Sequence, residues 1–344
     1  MPSPVLDFCR NGLIFVDELA RQGLDPRELR RAQARAAVVR VRRGVYCLRE
    51  TWDAAGPCER HLLVVRAVVA VTHPPFLVAG RSAAAAWGMP FAAAWPDEVS
   101  LLTPYRGGGK SQIGVRRTSA GASGATGTTL DGLPITSLAR TALDVAGALS
   151  LPRAVAILDW AMWRKNSGGV DRAELEAELL RARYARGGAF LRHALSLATE
   201  LSDSVGESMA RIGIHLLGFE APELQVRFAD EEGEIFPDFF WRGASIAGEF
   251  DGKVKYTGAK FSRGDPAEVA WSEKKREDRL RRQVRGVVRI LSQNVAQPVR
   301  LEALLVEAGV PRAPRRGFGS GSGPLRDGPG YGTTGPRARG SLAP

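Results

Sequence analysis

No uninterrupted apolar stretch approaches the ~18 residues that a membrane span needs. The opening residues, MPSPVLDFCRNG, lack the basic-then-apolar layout of a signal peptide. A soluble, cytoplasmic chain with no membrane partner is therefore expected. Cysteine is scarce: Cys9, Cys47 and Cys58 are odd in number and far apart, which excludes a disulfide framework and a CxxC zinc knuckle. The four histidines, His61, His73, His193 and His215, show no metal-ligand spacing, and no serine-histidine-acid or cysteine-histidine arrangement stands out. A phosphate loop is missing too. GGGKS at 107–111 has Pro104 where GxxxxGK[ST] requires its first glycine, which excludes that mode of nucleoside triphosphate binding.

What is present is an ordinary globular composition, 44% hydrophobic and 25% charged, spread over 344 residues. At the usual ~100 to 200 residues per domain, that length gives two or three domains. The formal net charge of +11 is concentrated at the two ends. Residues 1–49 hold ten Arg against five acids, residues 312–344 hold six Arg against one Asp, and the 262 residues between them are close to neutral. A basic module on a neutral body points to local contact with an anionic partner such as nucleic acid.

The residues from 312 onward are dominated by Gly, Pro, Ser and Arg and read as a disordered basic tail. SAGASGATGTT at 119–129 has no periodicity and is expected to be a loop. Apolar residues recur at helical spacing between 137 and 200. From 223 the pattern changes to short alternating runs, ELQVRFAD, EIFPDFFW and SIAGEFDG, which places the last domain boundary near Leu201.

Residues 16–48 read as a short helix, a turn at Gly23 and a second helix opened by Asp25-Pro26, where Asp caps and Pro occupies the first helical position. The second helix, expected to run to about Ala36, would bury Leu29 and leave Arg27, Arg30, Arg31 and Gln33 outside. Val39 and Val41 then alternate with Arg40 and Arg42 ahead of Arg43-Gly44, as in a β-hairpin wing aimed at a phosphate backbone. These seven polar residues are the candidate DNA contacts.

LxxxGLxxxxLRR and RVRRGVY in this segment resemble the N-terminal winged helix of AbiEi-type antitoxins of type IV toxin-antitoxin systems. The resemblance continues through GRSAAAAWGMPF at 80–91 and LPITSLARTALDVA at 133–146, over roughly the first 200 residues. It implies DNA as partner, with an operator or a cognate toxin as further partners.

The C-terminal part carries a set of acids: Glu207 on a helix, Asp238 after a proline, and Glu249 and Asp251 alternating with Lys253 along one strand. Crowded carboxylates repel unless a divalent cation neutralises them, and hard oxygen donors suit Mg²⁺ or Mn²⁺. PELQ at 222–225, PDFFW at 237–241 and EFDGKVKY at 249–256, in an αβββαβ order, resemble the PD-(D/E)XK nuclease superfamily and its small Vsr-like endonuclease domains. The resemblance implies that Glu207, Asp238 and Glu249 or Asp251 hold metal while Lys253 assists. Glu249 as the motif acid puts Asp251 where the superfamily has Lys, whereas Asp251-Gly252-Lys253 fits the acid-x-Lys pattern. The basic residues at 274–282 alternate with acids and fit either a phosphate track or a salt-bridged, solvated face.

The expected architecture is an α+β multidomain chain: a winged helix-turn-helix at 1–49, a mixed α/β then helical middle domain at 50–200, a restriction-endonuclease-like domain at 201–311 and a tail at 312–344. The expected function is DNA binding coupled to a metal-dependent phosphodiesterase. The alternative is a transcriptional regulator or antitoxin whose nuclease-like domain is inactive. The sequence leaves oligomeric state open.

Overall fold

The computed structural model describes residues 6–25, 27–90, 94–104, 113–119, 125–166, 168–184, 186–252 and 266–314. Lys253, the GGGKS string and the chain from 315 onward lie outside the described residues. The protein is a mixed α+β chain with several apolar cores built on its sheets and helices. No helix among the described residues is long and apolar enough to cross a membrane.

At the N-terminal end, β1 (Leu13–Phe15), α1 (Val16–Arg21), α2 (Arg27–Ala34), β2 (Val38–Arg42) and β3 (Val45–Leu48) follow one another. The strands form a three-stranded antiparallel sheet in the order β1-β3-β2. Asp25 accepts the backbone N–H of Arg27 at 2.9 Å, so the expected acid cap is in place. The helix ends at Ala34, two residues short of expectation, because Ala36 turns into the left-handed region at φ 56°. Ile14, Leu19, Leu29, Ala32 and Val38 close the small core beneath.

Next come α3 (Arg49–Ala54), α4 (Pro57–Ala70), β4 (Leu77–Val78), α5 (Gly80–Ala86), β5 (Val99–Leu102), β6 (Val115–Thr118), β7 (Gly127–Leu130) and β8 (Leu133–Thr136). The last five strands make a mixed sheet in the order β6-β5-β4-β8-β7. Part of the expected 119–129 loop is thus strand β7. Its hydrogen-bonded neighbour β8 holds it, and a Cβ at Gly127 would lie 2.7 Å from a Leu77 methyl, so a larger residue there would make Leu77 shift.

Four helices, α6 (Leu138–Ala146), α7 (Leu151–Met162), α8 (Arg172–Ala182) and α9 (Gly188–Leu197), occupy the segment where helical periodicity is strongest. Their core includes Leu143, Leu158, Leu175 and Leu191. The following helix, α10 (Val205–Leu216), is shared between cores. Ile212 packs into the helical cluster, while Ala210 and Ile214 pack into the next one. A buried ion pair fastens the two parts, with Arg211 donating to Asp159 at 2.8 Å.

The C-terminal part contains β9 (Phe228–Asp230), β10 (Gly233–Ile235), β11 (Phe239–Trp241), β12 (Ile246–Asp251), α11 (Pro266–Arg281), β13 (Gly286–Leu291), α12 (Ser292–Val295) and α13 (Pro298–Glu307). β9 and β10 pair as a hairpin apart from the three-stranded sheet β11-β12-β13. In that sheet β11 is antiparallel and β13 parallel to β12, the crossover between the last two carrying α11. The first alternating run is split: Glu223 bridges to Phe240 by two backbone bonds, and residues 228–230 turn away to meet β10. Arg312, which composition groups with the tail, is docked, with its guanidinium 3.9 Å from the Phe219 ring centroid and Nη1 donating to the Leu217 carbonyl.

Candidate functional site

Two sites follow from the residues singled out above. In the N-terminal module Leu29 and Ala32 face the core, which turns Arg27, Arg30, Arg31 and Gln33 of α2 to solvent, as their spacing implies. Arg40 of β2 and Arg43 of the β2–β3 turn are also exposed, whereas Arg42 is half-buried. A bulge between Arg40 and Arg42 breaks strict alternation there. Burial, and then the neighbouring charge of Arg117 on β6, press the Arg42 guanidinium below its ordinary value. The turn end of the β2–β3 hairpin therefore lies near β6, an edge strand of the five-stranded sheet. Among the described residues, the side chains of Arg30, Arg31, Arg40 and Arg43 form no ion pair within 4.0 Å.

The acid set is arranged less uniformly. Glu207 sits in the first turn of α10, where Ser204 caps the helix by accepting the Glu207 N–H at 3.2 Å. The Glu207 carboxylate accepts the Asp203 N–H at 2.8 Å. Burial, and after it the negative charge of Asp238, push the Glu207 carboxyl up to about 7. Asp238, just before β11, accepts the Phe250 N–H at 2.6 Å, which ties it to the C-terminal end of β12. Gly206 allows the close approach, since a Cβ there would lie 2.0 Å from Cε1 of Phe250. The structure thus brings Glu207 and Asp238 together.

Glu249 and Asp251 alternate with Phe250 along β12 and each meets an arginine. Glu249 accepts from Arg276 of α11 at 2.8 Å, and Asp251 lies 3.7 Å from Arg289 of β13. The parallel register sets Glu249 opposite Arg289, a pairing that neither segment reveals alone. Among the described residues no group of three or more His, Cys, Asp or Glu side chains is arranged to hold a metal ion. With two of its four acids held by guanidinium groups, this donor set does not fit a divalent cation as it stands. The pairing of these acids with Arg276 and Arg289 is what sequence reading misses.

The charges of α11 and its neighbours are partly paired. Arg279 forks onto Asp230, Arg281 pairs with Glu277 at 2.7 Å, and Arg289 reaches Glu277 at 2.6 Å. Arg276, Arg279 and Arg281 are thus engaged by acids, whereas Lys274, Lys275 and Arg282 form no ion pair within 4.0 Å among the described residues, so the stretch is a partly salt-bridged face. Elsewhere, His61 is buried with Nε2 3.0 Å from the Ser82 hydroxyl and its ring stacked on Trp95, a packed histidine with no access for a substrate.

No protein-family model matches the chain. It is 35% identical over 117 residues to the uncharacterized protein Rv2248 of Mycobacterium tuberculosis (strain ATCC 25618 / H37Rv). The same figures hold for the uncharacterized protein MT2308 of Mycobacterium tuberculosis (strain CDC 1551 / Oshkosh). Each match takes in 34% of this chain and 42% of the relative, so the chain spans less than half the length of the curated relatives it matches. Among solved structures, the RV2827C protein from Mycobacterium tuberculosis aligns with a TM-score of 0.35 at 16% identity, over 60% of this chain and 78% of that one.

Proposed function

We propose that the protein binds duplex DNA, with residues 1–49 as the reading module, and that it acts as a regulator. One observation carries this reading: the exposed arginines of α2 and the β2–β3 hairpin have no acidic partner among the described residues, whereas those of α11 do. Arginines not engaged by acids can neutralise phosphates and displace the counterions condensed on the duplex, which is the source of salt-dependent DNA affinity. The order β1-α1-α2-β2-β3 with sheet order β1-β3-β2 supports a winged helix-turn-helix. In this reading α2 enters the major groove and the hairpin lies along the backbone. The likeness to AbiEi-type antitoxins makes the target an operator, with a cognate toxin as the second partner. The C-terminal sheet is then a nuclease-like unit that does not cleave, in keeping with Glu249 and Asp251 facing arginines.

The second reading, a phosphodiesterase of the PD-(D/E)XK type using Mg²⁺ or Mn²⁺, is favoured by the Glu207–Asp238 pair. Two acids held close enough to repel are half of a cation site. Completing it requires Glu249 to leave Arg276. A plasmid-nicking assay with Mg²⁺ or Mn²⁺ and an EDTA control, run beside binding to a labelled duplex, separates the two. Binding without cleavage supports the regulator, and nicking that needs metal and is lost in Asp238→Asn supports the enzyme. Failure to bind duplex DNA refutes both.

A further inference from the structure

A cavity of about 900 Å³ opens between the β5–β6 side of the five-stranded sheet and the helices α6, α8 and α9. It shares no lining residue with either site described above. Five arginines line it, Arg81, Arg116, Arg140, Arg183 and Arg186, against two acids, Glu98 and Asp144. Arg140 and Asp144 are already engaged with each other. The Arg140 side chain is buried and its Nε donates to both Asp144 oxygens at 2.9 Å, with Glu178 3.8 Å away on the far side. Tyr184 donates its hydroxyl to Asp144 at 2.6 Å and sets its ring 5.7 Å from the Arg140 guanidinium. This buried network fixes one wall and leaves Asp144 little charge to offer the other cations.

Three of the other cations gather at the rim. Arg116 of β6 and Arg183 and Arg186, on either side of the α8–α9 turn, are exposed, and among the described residues they form no ion pair within 4.0 Å. Helix α9 begins at the same place. Gly187 caps it at φ 77°, and a Cβ there would meet nothing within 4 Å, so the positive end of the helix is open on that side. Deeper in, Ala79, Val145 and Leu191 provide an apolar floor.

We propose that this cavity binds a phosphate-bearing small molecule with an aromatic or apolar ring, a ligand of the nucleotide class. Its volume lies within the ~300–1,000 Å³ of small-molecule sites, which combine an apolar body with a few placed polar groups. Guanidinium forks match phosphate oxygens two at a time, so the rim takes the phosphates and the floor the ring. A duplex backbone would engage the rim alone and leave the floor empty.

Isothermal titration of the full chain with ADP, pyrophosphate and adenosine tests this. ADP is expected to bind saturably, pyrophosphate more weakly, and adenosine weakest. Arg116→Gln, Arg183→Gln and Arg186→Gln should each weaken ADP by about tenfold, the value of a lost charge-assisted contact, while duplex affinity stays within about twofold. All three side chains are exposed, so the variants should keep the parent melting curve, and each is read singly. Absence of saturable ADP binding overturns the proposal, as does ADP binding indifferent to all three substitutions. Loss of duplex affinity in these variants without ADP binding also overturns it and makes the rim part of the DNA surface.

Discussion

Glu207→Gln keeps the shape of a buried side chain while removing its charge, and the Gln carbonyl can still accept the Asp203 N–H that the carboxylate accepts at 2.8 Å. Moving a carboxyl from its ordinary 4.5 to about 7 corresponds to about 3 kcal/mol of differential interaction between its two protonation states. Glu207 is 9% exposed, so solvent screening removes little of that. The sign follows from linkage: a folded value above the unfolded one gives stability that is complete below about pH 4.5 and is lost as pH rises through about 7. Wild type should therefore lose about 3 kcal/mol relative to Glu207→Gln between pH 4.5 and pH 8, with the difference level on either side. Urea unfolding at several pH values reads the difference, and ¹³C-glutamate titration identifies the group as a resonance missing from the variant with a midpoint near 7. Parallel stability curves, or a Glu207 resonance titrating near 4.5, would refute the reasoning. Asp238→Asn should then move that midpoint down, because it removes the neighbouring negative charge.

Gly206→Ala should cost about 1–3 kcal/mol, since its methyl would enter the Phe250 ring, and denaturant titration checks it. Asp159→Ala should cost about 3–5 kcal/mol by leaving Arg211 buried without its carboxylate, read as a drop in melting temperature. Ending the chain after Pro314 should leave the melting transition unchanged. Ending it after Pro311 should lower stability by about 1 kcal/mol, because Arg312 is half-exposed and its contacts with Phe219, Leu217 and Glu302 are partly screened.

Local chemistry made parts of the fold readable in advance. Asp25 marks the start of α2 because a cap is a contact between near neighbours, and the Leu138, Ala142, Val145 spacing marks α6 because its apolar residues recur at the helical period, although the helix is buried on almost every side. β7 is not legible, since its Gly and Thr residues carry no period and only pairing with β8 makes them a strand. The acids were visible as a set, but their partners were not. Arg289 comes opposite Glu249 through a parallel register, and Arg276 reaches it from a helix that crosses over between the two strands. The arginine-lined cavity is hidden for the same reason, because its walls come from segments between Ala79 and Leu191 that only the tertiary fold assembles.

The claim that residues 1–49 read DNA is tested most directly by the salt dependence of duplex binding in the full chain and in a variant with Arg30, Arg31, Arg40 and Arg43 changed to Ala. Each lost phosphate contact removes about 0.9 from the slope of log K against log salt, so the variant should bind more weakly with a slope shallower by about 3 to 4. Its folding should be unchanged, because all four side chains are exposed. Equal affinity and equal slope in the two proteins would contradict the account.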